Sequence, residues 1–116
     1  MAEQFSMEVS VNNKTVVLRT NGYLNNVAGE NIAEECYKQM DDGKINFLLD
    51  LTNTKMVNSI GVSILIEIIE KLQDVDGKIG YCNLAPIVEK TFNIMGITQY
   101  SKVYSSEEDG LVDLNS

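Results

Sequence analysis

The chain contains no histidine, one proline and two cysteines in 116 residues. Basic side chains are also scarce: 9 Lys and Arg stand against 17 Asp and Glu, a formal net charge of −8. Each shortage closes off a class of function. Histidine is the commonest general base and metal ligand near neutral pH, so Ser-His, Cys-His and His-metal mechanisms are excluded. Nucleic-acid binding needs clustered Lys and Arg to neutralise phosphates, and the charge balance opposes it. Anionic membranes are disfavoured for the same reason. Cys36 and Cys82 form no C-x-x-C pair and fall within apolar patterns, which predicts buried, reduced thiols and a cytoplasmic setting. The start, MAEQFSMEVS, has no apolar signal-peptide core. The longest near-apolar run, Ile60 to Ile69, is broken by Ser63 and Glu67, and a bilayer span takes ~20 apolar residues.

The residues that are present read as one α/β domain over 1–116, a length suited to a single core. Phe5, Met7, Val9 and Val11 alternate with polar residues, and Thr15 to Thr20 follows after Asn12-Asn13, which predicts a β-hairpin turning at the two asparagines. Ala28, Ile32, Ala33, Cys36, Tyr37 and Met40 make one apolar stripe of a helix over about 27–40, capped by Asn25 or Asn26. Ile45 to Leu51 is a short apolar run expected to be a strand buried on both faces. A second helix runs over about 60–74 and a strand over 78–83. Pro86 opens a third helix that Gly96 ends, and a strand over about 101–105 precedes an acidic segment read as a last helix or a fraying end. The expected sheet has about five strands, mostly parallel, with an antiparallel N-terminal hairpin and about four helices.

The stretch from Asp50 to Gly61 carries the functional signal. A buried strand ends at Asp50, and a polar loop leads to a helix whose free N–H groups Asn58 or Ser59 would cap. Functional sites of open α/β sheets lie at the carboxyl ends of the strands. On an ideal helix at about 100° per residue, Ser59 lies on the outer face with Ser63, Glu67 and Glu70, flanked by Val62 and Ile66 as candidate docking aliphatics. Three readings compete. Asp50 as a receiver phosphoacceptor lacks the acidic pair and the strand-end lysine of that chemistry. A thiol enzyme lacks a base and a basic setting for either cysteine. The third is a switch in which Ser59 is phosphorylated where helix N–H groups and the dipole accept an anion. No glycine-rich phosphate loop suggests a cofactor, and none is expected, nor a metal.

The hairpin leading into Gly22-Tyr23-Leu24-Asn25, the run Asp50-Leu51-Thr52, the run Asn58-Ser59-Ile60-Gly61-Val62, and the segment from Leu84-Ala85-Pro86 to Met95-Gly96-Ile97 together resemble the STAS domain family, in particular its stand-alone bacterial anti-sigma factor antagonists. The resemblance runs from about Met7 to Leu111. It implies a non-enzymatic protein that, when unphosphorylated, binds an anti-sigma factor serine kinase with a histidine-kinase-like ATPase fold. Phosphorylation would release that kinase, and a serine phosphatase would reset the switch. Ser59 matches the phosphoacceptor. Asp50, Thr52, Asn58 and Gly61 match the loop that supports it. Ile60, Val62, Ser63 and Ile66 are the expected partner-binding residues. Asn58 stands where many antagonists carry Asp, and Ile60 where a small residue is frequent. The alternative is a constitutive STAS subunit of a lipid-transport or stress-sensing assembly, with Ser59 only a cap. A monomer is expected.

Overall fold

The alternating N-terminal segment folds as the expected hairpin. β1 (Ser6–Asn12) pairs antiparallel with β2 (Thr15–Asn21), setting Met7 opposite Thr20 and Val9 opposite Leu18. The computed structural model describes residues 4–116, so residues 1–3 of the expected domain lie outside the described residues. The turn falls one residue later than the Asn12-Asn13 expectation: Asn12 still opposes Thr15, and the loop is Asn13-Lys14. Asn13 takes the left-handed conformation, φ 54°, which asparagine tolerates.

The first helix, α1 (Asn26–Asp41), begins where the Asn25 side chain accepts the Ala28 N–H at 3.1 Å. Its buried face is the stripe Ala28, Ile32, Ala33 and Cys36. β3 (Asn46–Asn53) is buried over its first six residues, as an apolar central strand requires. Beyond it come α2 (Ser59–Gln73), β4 (Lys78–Cys82) and α3 (Pro86–Ile94). Gly96, at φ 79°, turns the chain after α3 into a 3₁₀ turn, Ile97–Gln99. β5 (Lys102–Tyr104) is shorter than the expected 101–105. The acidic segment is a folded helix, α4 (Glu107–Leu114), rather than a fraying end. Ser106 caps it through the Asp109 N–H, and three acids in its first turn meet the positive end of the dipole.

The sheet order is β1-β2-β3-β4-β5, antiparallel between β1 and β2 and parallel elsewhere. When strands are added in sequence through crossovers of one hand, the crossing helices share one face. The burial obeys that geometry. Val16, Leu18, Phe47, Leu49, Leu51, Ile79 and Tyr81 form the main core with residues of α1, α2 and α3. The strand residues of opposite parity face α4, where Leu48, Cys82 and Leu114 make a small second cluster. Both cysteines are buried and unpaired. Burial pushes each thiol up to about 12, helped by the nearby Glu35 carboxylate at Cys36 and by Asp50 and Glu107 at Cys82.

Candidate functional site

The carboxyl end of β3 and the start of α2 are fixed by backbone contacts to the connection between β2 and α1. The Leu24 N–H donates to the Met56 carbonyl at 2.9 Å, and the Asn58 N–H donates to the Leu24 carbonyl at 3.0 Å. Leu24 and Val57 form an isolated parallel bridge. Deeper in the same junction, the hydroxyls of Thr20 and Thr54, both buried, meet at 2.6 Å. The loop before Ser59 is therefore a pinned segment that carries its own hydrogen bonds.

Asn58 is the N-cap of α2: its side-chain oxygen accepts the Gly61 N–H at 2.8 Å and its carbonyl the Val62 N–H at 3.1 Å. Gly61 is demanded by packing. A β-carbon there would sit 2.4 Å from the Leu24 carbonyl oxygen and 3.0 Å from that of Asn25. Only a residue without a side chain lets the N-termini of α1 and α2 lie against each other. Ser59, the first residue of α2, is exposed. Among the described residues, neither its hydroxyl nor the N–H groups of Ser59 and Ile60 have a hydrogen-bond partner. That is an exposed nucleophile beside unsatisfied donors at the positive end of a 15-residue helix.

The expected partner-binding residues divide. Ile60 is 56% exposed and Ser63 is exposed, its hydroxyl donating to the Ser59 carbonyl at 2.8 Å. Ile66 is half-buried against the core and lines a shallow groove with Met95, Ile97 and Tyr100. Val62 corrects the expectation: it is 0% exposed and belongs to the main core. The close approach at Gly61 draws the first turn of α2 onto the β2–α1 connection, which encloses this flanking position. Three other residues on the adjoining segments are the exposed apolar ones. Tyr23, Val27 and Met56 are exposed apolar side chains on the segments that these backbone contacts bring together. No periodicity marks them, because each belongs to a loop or to a helix end.

Asp50 and Thr52 lie on the other face of the sheet from α2. The Asp50 carboxylate accepts the Thr52 N–H at 3.0 Å, the Thr52 hydroxyl at 2.5 Å and the Asn83 side-chain amide at 3.3 Å. Burial raises its pKa. Hydrogen bonding from the Thr52 hydroxyl, the Thr52 amide and Asn83 outweighs burial and holds Asp50 below its ordinary value. Neither residue hydrogen-bonds to Ser59 among the described residues.

Among the described residues, no helix is long and apolar enough to cross a membrane. The model of the STAS domain family matches residues 6–110. BtrV of Bordetella bronchiseptica, a protein assigned as an anti-sigma factor antagonist, is 29% identical over 87 residues, 75% of each chain. An anti-sigma factor antagonist from Mycobacterium paratuberculosis superposes with a TM-score of 0.85 over 100% of both chains at 18% identity. The Bacillus cell-fate determinant SpoIIAA, solved in its phosphorylated form, superposes with a TM-score of 0.72 at 23% identity, covering 95% of this chain and 98% of its own. At these identities the two superpositions establish the fold: a five-stranded mixed sheet with four helices.

Proposed function

The chain belongs to the STAS domain family, and from that membership we propose that it is a non-enzymatic anti-sigma factor antagonist switched by phosphorylation of Ser59. The observation that carries the reading is the setting of Ser59. It is exposed at a pinned helix start beside open N–H groups, and Tyr23, Val27, Met56 and Ile60 on the adjoining segments are exposed apolar side chains. The partner is an anti-sigma factor that is also a serine kinase. In the transfer, the Ser59 Oγ attacks the γ-phosphorus of ATP held by that kinase. A bond from Oγ to phosphorus forms, the bond to the β-phosphate oxygen breaks, ADP leaves, and a base of the kinase takes the hydroxyl proton. This chain supplies the acceptor alone, since no carboxylate contacts Ser59 among the described residues.

Unphosphorylated, these exposed apolar residues dock on the kinase. Phosphorylation adds a charge of about −1.5 to −2 at the start of α2. The N–H groups of Ser59 and Ile60 receive the phosphate, so the fold stays as it is while the apolar contact is lost. A serine phosphatase restores the hydroxyl. The test is to incubate the protein with ATP and candidate anti-sigma kinases from its own genome, map phosphate by mass spectrometry, and measure binding to the kinase. Phosphate on Ser59 with dissociation of the complex is expected, and Ser59→Ala should bind but resist release. A Ser59→Asp variant that binds as tightly as wild type refutes the switch and favours a constitutive interaction subunit.

A further inference from the structure

Arg19 is the only arginine in the chain, and it lies on the sheet face away from Ser59. In the β2–β3 ladder it is the direct partner of Asp50. Its guanidinium makes a forked pair with Glu107 of α4, Nη2 to Oε1 at 2.6 Å and Nε to Oε2 at 3.0 Å, a geometry that fixes orientation as well as charge. Nη1 donates to the Ser10 hydroxyl at 3.0 Å and reaches Glu8 at 3.4 Å. One cation thus stands among Glu8, Glu107 and Asp50.

Just beyond this pair the ladder slips. Arg19 opposes Asp50 but Asn21 opposes Asn53, so two steps on β2 match three on β3. A strand with an extra residue bends and re-aims the chain beyond it. In β3 the chain beyond is the loop to Ser59, and the extra length is the Asp50–Thr52 turn, closed by the Thr52 N–H and hydroxyl on the Asp50 carboxylate.

We propose that Arg19 and Glu107 are positioning residues for the Ser59 loop: α4, through the Glu107–Arg19 pair set against Asp50, braces the bulge from which the loop springs. The inference rests on the reading of Ser59 as phosphoacceptor. It adds that the C-terminal helix, on the opposite face of the sheet, sets how well Ser59 is presented. Without Arg19, Glu107 and Asp50 face each other with no cation between them, and the Asp50 carboxylate turns from Thr52.

The test compares wild type, Arg19→Gln and Arg19→Lys by amide hydrogen exchange read by NMR and by phosphorylation kinetics with the anti-sigma kinase. In Arg19→Gln, the Thr52 and Thr54 amides should exchange at least about tenfold faster, while the Leu48 and Leu49 amides stay within about twofold of wild type, the pattern of a local opening. KM for phosphorylation of Ser59 should rise with kcat little changed. Arg19→Lys, which keeps the charge, should recover most of the protection. Unchanged Thr52 and Thr54 exchange overturns the proposal. So does a uniform acceleration across β3, which would make Arg19 a general stabiliser. If wild type is never phosphorylated at Ser59, the functional reading fails, and the exchange data still decide whether α4 braces the loop.

Discussion

Replacing Gly61 by alanine tests the geometry on which the Ser59 site depends. The new β-carbon would lie 2.4 Å from the Leu24 carbonyl oxygen, with the Asn25 oxygen at 3.0 Å. That is roughly 1 Å inside ordinary contact. Both obstacles are backbone, so no rotamer change relieves them, and α2 must withdraw from the β2–α1 connection. Overpacking of this kind costs about 1–3 kcal/mol or somewhat more. Withdrawal also strains the Asn58–Leu24 and Leu24–Met56 hydrogen bonds, worth about 1 kcal/mol each. Against this, alanine gains about 1 kcal/mol over glycine in a helix. The net expectation is a loss of about 2–4 kcal/mol, or roughly 8–16 °C in Tm for a chain of this size.

Gly29 on α1 is the internal control. A β-carbon there would meet the Ile64 side chain, Cδ1 at 2.9 Å and Cβ at 3.1 Å. Ile64 is half-buried, so its Cδ1 is the flexible end of a side chain, and the contacts that remain, Ile64 Cβ at 3.1 Å and Gly61 Cα at 3.4 Å, need only a few tenths of an ångström of give. The strain and the helix gain nearly cancel, so Gly29→Ala should stay within about 1 kcal/mol of wild type. Urea unfolding of the two variants, compared at equal slope, measures the difference. Gly61→Ala within about 1 kcal/mol of wild type, or Gly29→Ala costing as much as Gly61→Ala, would refute the argument that α2 is seated by contact with the Leu24 and Asn25 carbonyls.

Burial and charge set two more outcomes. Val62→Ala should lose about 1.5–3 kcal/mol, because two buried methyl groups and a residual cavity are involved, whereas Ile60→Ala should leave stability within about 0.5 kcal/mol but weaken binding to the kinase; denaturation and a binding titration of both variants check this, and the reverse pattern would restore Val62 to the surface. Asp50 is held below its ordinary pKa, so its ionised form is the one the fold favours. Its contribution is complete above the unfolded value of about 3.9 and is lost as the pH falls through the folded value. The stability advantage of wild type over Asp50→Asn should therefore hold down to about pH 4 and shrink below it, and an advantage unchanged at the acid end would contradict the hydrogen-bond account of Asp50.

The elements were legible where periodicity or punctuation marks them. The stripe of α1, the mostly apolar run of β3, Pro86 at a helix start and Gly96 past its end each report a local requirement. Asn58 and Ser59 were legible for the same reason, since capping is a contest among a few adjacent backbone groups. Val62 was misplaced because a helical wheel describes one helix in isolation. Its burial is decided by a neighbouring segment, admitted by the glycine next to it. The nearness of the segments that carry Tyr23, Val27 and Met56 escaped in the same way. Tyr23 and Val27 are distant from Met56 in sequence, and long-range contacts such as those of Leu24 to Met56 and Asn58 join them.

Arg19 shows the same limit from the other side. A lone arginine in an acidic chain is conspicuous, yet composition alone reads it as a solvated charge. Its place is set by two long-range facts. The parallel register puts it beside Asp50, and α4 returns across the sheet to bring Glu107, 88 residues later, onto the guanidinium. Asp50 is then part of two structures at once: the closing group of the turn that launches the Ser59 loop, and a member of the charge cluster beneath α4. If Arg19 and Glu107 brace the loop as proposed, a partner that shifts the Ser59 loop should also disturb the packing of α4, and the Tyr104–Asp113 hydrogen bond at 2.6 Å would report it from the far face.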